Sequence, residues 1–423
     1  MAQPALQSGE LRFMTVKAET TEGTDATPST SLNTFDLMDG SVSTEFDKIE
    51  RPRDRAFFTG ESFIVSNKRA VLDGMFELIP PVTPGDASTD GNAECEVVLF
   101  PCGMARTKSA TNGTTAYNPI STSIPTVSAY FYQAGIYFKL VGSRGDISEL
   151  TMAVGERFNG KLSLQGVYSS VDETAVPTDG DYSAFLIPSV ATYSNSVMRG
   201  FQGTDANALP VFFWGKSLKV SFGNELNTKQ YTQKRISAIE DRAPTFEVVI
   251  ARPAKADFDV YALRDAGTIV RFDMTTVDDD GTSYSRLKVR GQIESIENAM
   301  VDGKDFGYRL SGPCIASDTG GDEFGVEFGL DSLRLIGDLP DGDDGEAYSA
   351  QLSLQGVYGS AVTYTVQSGS LPTGLSLSST TGVVSGTPSA AGSYTFVIRA
   401  TTTDVTGATI TADSSSQGVT INA

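Results

Sequence analysis

The chain has 423 residues, 52 acidic against 32 basic, a formal net charge of −20 and no histidine. Its length accommodates about two to four domains. The acidity argues against sequence-specific nucleic-acid reading, which needs a basic face for counterion release. The lack of histidine excludes a Ser-His-Asp triad and removes the commonest zinc ligand. Cys95, Cys102 and Cys314 form no metal-like spacing and read as buried thiols of a protein made in a reducing compartment. No charged segment leading into an apolar run opens the chain, so no signal peptide is expected, and no apolar stretch is long enough for a membrane helix. With 42 glycines and few helical patterns, the composition points to a mainly β protein.

In chain order, residues 1–9 read as a tail, followed by a strand from Glu10 and a long polar loop. Val42, Thr44 and Phe46 alternate with polar residues and predict a strand with one buried side. Arg51-Pro52-Arg53-Asp54-Arg55 breaks it at the proline. Further strands run to Pro80-Pro81. The loop-rich segment 82–125 holds ECEVVLFPCGM, a short helix or buried segment closed by Gly103. Strands resume from Val127, with hairpin turns expected at Gly135 and at Gly145-Asp146, and a closing strand through Leu162, Leu164 and Gly166.

A polar link, Val171–Asp181, leads to a second body. There Asp257 is placed to cap a helix over Phe258–Ala266, stopped by Gly267, and Asp279-Asp280-Gly281 marks a hairpin turn. The two bodies echo one another. GSVSTEFDKIERPRDR is echoed by KSLKVSFGNELNTKQYTQKR, GMFELIPP by FEVVIARP, and LSLQGVY at Leu162 by LKVRGQI at Leu287. These echoes predict a duplicated fold, with an insertion in the first copy within 82–135.

From Gly345 to Ala423 short alternating segments are punctuated by Gly369, Pro372-Thr373-Gly374, Thr381-Gly382 and Gly386-Thr387-Pro388. Alternation of Ala350, Leu352 and Leu354, of Leu375 and Leu377, and of Tyr394, Phe396 and Ile398 is the pattern of a β-sandwich. The phrase LPTGLSLSSTTGVVSGTPSAAGSYTFVIRAT closely resembles the immunoglobulin-like He-PIG modules often appended to bacterial surface and phage tail proteins. The expected organisation is 1–175 and 176–335 as two related bodies, 336–344 as an acidic linker, and 345–423 as a projecting sandwich.

The text KAETTEGTDATP, with GTTAYNPISTSIPTVSAYFYQAGIYFKLVGSRGDISELTMAVGERFNGKLSLQGVY and SLKVSFGNELN, resembles the major tail tube proteins of phages with long non-contractile tails. The likeness covers most of residues 10–330 as a succession of strands and turns and carries no catalytic fingerprint. It implies a tail-tube β-sandwich with one short helix per copy, assembled into stacked rings around a channel. A duplicated chain would give trimeric, pseudo-hexameric rings, and a single fold hexameric ones. The implied partners are further copies of the chain, the tape-measure protein, tail terminator and tail-tip proteins, and double-stranded DNA passing without sequence-specific contact. The implied place is the virion tail, assembled in the host cytoplasm.

Within that frame the strands Lys161–Tyr168 and Arg286–Ser295 are candidates for the channel wall. Leu162, Leu164, Leu287 and Val289 would face the core, and Ser163, Gln165, Lys288 and Arg290 the channel, with Glu294 offsetting the two bases. A net negative wall is expected. No residues are assigned to catalysis, to a cofactor or to a metal, and no membrane insertion is expected. Arg144-Gly145-Asp146 reads as a turn rather than an adhesion tripeptide. Asp278-Asp279-Asp280 and Asp338–Asp344 lack the spacing of a calcium loop. The basic clusters Arg51/Arg53/Arg55 and Lys229/Lys234/Arg235 read as inter-subunit ion-pairing groups. Glu294 and Glu297 are a carboxylate pair with nothing to set them apart in so acidic a chain. Many copies of the terminal sandwich could hold host-surface glycans weakly. The alternative is a secreted or cell-surface carbohydrate-binding protein built of β-sandwiches.

Overall fold

The computed structural model describes residues 12–50, 63–88, 92–110, 113–173, 176–182, 189–192, 194–203, 209–232, 234–278, 283–301, 303, 305–330, 333–403 and 409–423. The tail 1–9, the Arg51–Arg55 cluster and the Asp279-Asp280-Gly281 turn lie outside them. The first half holds β1 (Arg12–Ala18), β2 (Thr34–Phe35), β3 (Met38–Glu50), β4 (Phe63–Glu77), α1 (Glu96–Leu99), β5 (Met104–Ser109), β6 (Thr114–Pro119), β7 (Val127–Gln133), β8 (Ile136–Ala153) and β9 (Asn159–Glu173). The second holds β10 (Ser196–Gln202), β11 (Val211–Phe213), β12 (Gly215–Ser221), β13 (Asn224–Tyr231), β14 (Lys234–Arg242), β15 (Thr245–Ala251), α2 (Val260–Asp265), β16 (Ile269–Val277), β17 (Ser283–Gln292), β18 (Ser295–Met300), β19 (Phe306–Pro313) and β20 (Phe324–Leu330). The chain is mainly β, with a separate sandwich at its C-terminus.

A single succession of pairings occurs twice. In the first half β1 pairs β7, β7 pairs β8, β8 pairs β9, β9 pairs β4 and β4 pairs β3. In the second, β10 pairs β16, β16 pairs β17, β19 pairs β15 and β15 pairs β12. The link from β17 to β19 is the bridge Gly291↔Cys314, and β18 then continues along β19. Thus β17 and β18 together stand where the single bent strand β8 stands. The ladders also end alike. Leu78 N donates to Phe158 O at 2.9 Å, and Arg252 N donates to Phe306 O at 3.4 Å. The hairpin β5–β6 has no counterpart among the described residues of the second half and falls in the segment 82–135 expected to be inserted.

The echoes of the sequence fall unevenly on this repeat. β3 with β12–β13, and β4 with β15, occupy matching places. LSLQGVY is β9, whereas LKVRGQI is β17, the counterpart of β8; the third echo is one strand out of step. The boundary near residue 175 also does not separate the sheets of the two halves. β8 of the first half pairs with β12 of the second, and β6 of the first pairs with β20. One apolar core runs through both halves, from Met14, Leu72 and Leu164 to Val248, Phe272 and Leu310.

Local chemistry accounts for the details. α1 passes into a 3-10 turn at Phe100–Cys102 and stops at Gly103, whose φ of 84° suits glycine. α2 is capped by Asp259, not Asp257: its Oδ1 accepts from Ala262 N at 3.2 Å, the bond that satisfies a free first-turn amide. Ala134 and Gly135, with φ of 51° and 85°, make the β7–β8 hairpin turn. Gly145-Asp146 is not a turn. Both lie inside β8, where a Cβ on Gly145 would sit 2.9 Å from Cys102 Sγ and from Ser163 O. Close approach selects the glycine there. The outer part of β3 is exposed on both sides, Phe46 included, so the buried face expected through Val42, Thr44 and Phe46 does not extend beyond Val42.

The C-terminal sandwich is not held off by a free linker. Gly342-Asp343 adds a parallel strand beside Ile421-Asn422, and Leu335 and Leu339 enter the sandwich core with Phe396 and Ile398. Its turn at Gly356–Tyr358 packs on the body. Val357 is buried against Val277 and Tyr284, and the Arg199 guanidinium lies 4.9 Å from the Tyr358 ring centre.

Candidate functional site

Two surfaces carry chemistry. The first is the open face of a continuous eight-strand path, β3-β4-β9-β8-β12-β15-β19-β18, within the larger sheet. Strand alternation sets its two sides. Leu72, Leu162, Leu164, Leu218, Val248 and Leu310 point into the core, while Asp73, Lys161, Ser163, Lys219, Glu247, Arg309 and Ser311 point out. The outward charges are matched. Glu149 takes both Lys161 and Lys219, the latter at 2.7 Å, and these two bonds hold its carboxyl at about 2. Arg309 lies 3.5 Å from Glu247 and 3.7 Å from Glu297. Asp73 adds an acid to this face. At the far end of β9 the arm β13–β14 covers it, with Gln165 Nε2 donating to Thr228 Oγ1 at 2.8 Å.

The path has two open ends. Among the described residues β3 pairs only with β4, and β18 only with β19. Met300 on β18 is 66% exposed.

The second surface is a cleft of about 900 Å³ between the sheet β10-β16-β17-β20 and the C-terminal sandwich. Arg199, Arg271, Arg286, Lys288 and Arg290 face it, with Asp273, Asp322 and Glu327. Arg199 holds Asp273 through two bonds of 2.8 and 3.1 Å, both side chains nearly buried. Glu327 accepts from Tyr284 Oη at 2.8 Å, Arg286 at 2.9 Å and Lys288 at 2.8 Å. Burial alone would raise its pKa, but Lys288 and Arg286 outweigh that and hold it at about 2. The cleft is positive in sum, tightly cross-linked, and floored by groups that fix one another.

The five candidate wall residues therefore separate. Ser163 and Gln165 lie on the eight-strand path, Gln165 under the arm. Leu287 and Val289 are buried and Lys288 and Arg290 face away from them, as alternation required, but they face the cleft. Glu294 sits at the bend between β17 and β18, its N donating to Ser311 O. Lys288 and Arg290 lie off the eight-strand path because their strand, β17, lies in the other sheet. The outward face of that path is carried instead by β15 and β19, where Glu247, Arg309 and Ser311 alternate with apolar residues. The Lys229/Lys234/Arg235 cluster pairs within the chain: Lys229 with Glu240, Lys234 with Glu22, and Arg235 with Asn67 and Lys68. Arg144 is likewise tied down, to Ile124 O, Ser237 O and Glu22, which leaves the Arg-Gly-Asp tripeptide inside a strand. The three cysteines are buried and free, and burial raises all three thiol pKa values, that of Cys314 to about 12. Among the described residues no group of histidine, cysteine, aspartate and glutamate is placed to hold a metal.

Residues 338–422 match the family described as "Putative Ig domain" (He_PIG). The C-terminal sandwich is an immunoglobulin-like domain. This Ig-like domain begins inside the segment 336–344, where a linker was expected. No curated protein matches the chain in sequence. Among solved structures, extracellular cadherin domains 3–6 of protocadherin gamma B2 align over 90% of this chain and 92% of that one. The identity is 10% and the TM-score 0.16, a likeness too slight to build on.

Proposed function

We propose that the chain is the major tail tube subunit of a long-tailed phage with a non-contractile tail, a structural protein without catalysis. The observation that carries this reading is the eight-strand path with both ends open and one polar, internally ion-paired face. Open edges invite pairing with further chains, and ring closure removes them. Three chains giving eight strands each would close a barrel of about 24 strands, roughly 48 Å across for strands about 4.8 Å apart and tilted about 40°. Such a bore admits a DNA duplex after side chains are subtracted. Six chains per ring is the alternative for an unrepeated fold, and the doubled strand order favours three.

The polar face supplies a slippery wall. Lys and Arg bind phosphate by releasing its counterions. Here Lys161, Lys219 and Arg309 are already matched by Glu149, Glu247 and Glu297, and Asp73 adds repulsion. The tape-measure protein would rest on this wall during assembly and DNA would pass it on ejection. Tail terminator and tail-tip proteins would close the ends of the stack, built in the host cytoplasm. Electron microscopy of the purified protein should show long hollow tubes; dispersed monomers under all conditions would end this reading. A surface carbohydrate-binding protein is the second reading, favoured by the Ig-like domain, and it predicts such monomers.

The described residues of 339–423 contribute nothing to the eight-strand path. Their deletion is expected to leave tubes intact and to strip from them an outer decoration suited to weak, multivalent glycan contact. Loss of polymerisation on deletion would make the Ig-like domain a structural joint.

A further inference from the structure

The junction between the two halves is a template for the junction between chains. Inside the chain, the end of β8 pairs antiparallel with β12, with Leu150 opposite Val220, Thr151 opposite Lys219 and Met152 opposite Leu218. The repeat gives each of these strands a counterpart. β9 runs between β4 and β8 with Gly160 beside Phe76 and Leu150, and β19 runs between β15 and β18 with Tyr308 beside Ile250 and Asn298. Matched at the common ladder ends, Leu150 corresponds to Asn298, Met152 to Met300 and Val220 to Val42. Both long hairpins carry a register shift near the base and another about midway along, at Met38/Ser41 and Glu45/Asp47 in one, and at Gly215/Ser217 and Glu225/Leu226 in the other.

We propose that β18 of one chain pairs antiparallel with β3 of the next, with Asn298 opposite Val42, Ala299 opposite Ser41 and Met300 opposite Gly40. This deepens the tail-tube reading and rests on it for closure into a ring. Exposure supports the assignment. Met152 is 1% exposed at the junction inside the chain, whereas its counterpart Met300 is 66% exposed at the open edge. The contact is heterologous, so it propagates and closes only by rotation.

The same template places the outer portion of the β3–β4 hairpin. Its counterpart, the arm β13–β14, lies across the first half, where Ile236, Ser237 and Ala238 are buried and Asn224 Nδ2 donates to Gly145 O at 3.0 Å. Among the described residues the β3–β4 arm is met at its root by Arg235, which donates to Asn67 and Lys68, while its outer part shows Phe46, Ile49, Phe63 and Ile64 to solvent. Its seat is the matching face of β17 and β19 on the chain whose β18 its own β3 pairs with.

The test is a cysteine pair in the full chain, Ser41→Cys with Ala299→Cys, oxidised in assembled material. The three native thiols are buried and give little background. Covalent oligomers are expected on a non-reducing gel, about tenfold more than from Ser41→Cys with Glu297→Cys, whose two-residue shift takes the Cα atoms beyond disulfide reach. Hydrogen exchange on the unaltered protein gives a second readout, with amides 39–42 and 297–300 gaining protection on assembly. Tubes that form without the cross-link or the protection, or that link better through Glu297→Cys, overturn the register and leave the tail-tube reading standing. Linked oligomers that never close into tubes support the register and overturn that reading.

Discussion

Glu327→Gln is expected to destabilise the chain by about 3 kcal/mol at neutral pH, read as a lower urea midpoint. Glu327 is the shared acceptor of Tyr284, Arg286 and Lys288. Arg286 is almost wholly buried, and its other partners, Thr275 Oγ1 and Gly356 O, carry no charge. The neighbouring carboxylate Asp273 is already held twice by Arg199. Removing one charge of a buried group leaves the other uncompensated, which costs more than the pair itself contributes. The acid limb gives an independent sign. Glu327 has a folded pKa of about 2 against an ordinary 4.5, so its contribution is complete above about pH 4.5 and is lost as the pH falls towards 2. The unaltered protein should lose stability across that window more steeply than Glu327→Gln does. Equal midpoints at pH 7 would show that the cleft floor is not a buried charge network.

Gly312→Ala should cost on the order of 2–3 kcal/mol and abolish tubes. A Cβ at Gly312 would lie 2.0 Å from Gln292 O and 3.0 Å from Glu294 N, both backbone atoms. Those atoms form the bend at which the chain leaves β17 and enters β18. Backbone cannot yield there without moving β18, the open edge of the eight-strand path. Gly418→Ala is the control, because nothing lies within 4 Å of its added carbon, and it should stay within about 0.5 kcal/mol of the unaltered protein. A Gly312→Ala chain that melts and polymerises normally would mean that the bend is soft and the edge self-positioning.

Much of this architecture is legible in the residues, and what is not has physical causes. Period-two alternation reports one buried face, so β9, β17 and the strands of the Ig-like domain read directly. Alternation does not report which sheet a strand joins. β17 and β9 look alike as text, yet one is followed by the Gln292–Glu294 bend and the other is not, and only long-range pairing separates them. The counterpart of β9 is β19, FGYRLSGP. Its text differs because Ser311 and Arg309 face open surface, whereas Gln165 and its neighbours must fit beneath the β13–β14 arm. Gly145-Asp146 mimics a hairpin turn because glycine serves both sharp bends and close packing, and sequence does not say which. The ion pairs of the polar face are equally hidden: Glu149, Lys161 and Lys219 come from three strands, and only their register brings them together.

The joining of β8 to β12 within one chain bears on how quickly such an assembly can start. The two repeats are tethered by the segment between Glu173 and Ser196, so this junction closes at an effective concentration in the millimolar range, whatever the dilution of the protein. In the proposed ring only the β18–β3 junction would then depend on encounter between molecules. A ring of fused pairs thus has half the intermolecular junctions of a ring of single units, and its nucleation rate falls off less steeply as the protein becomes scarce. Unfused subunits would need a higher concentration before the first such ring could form.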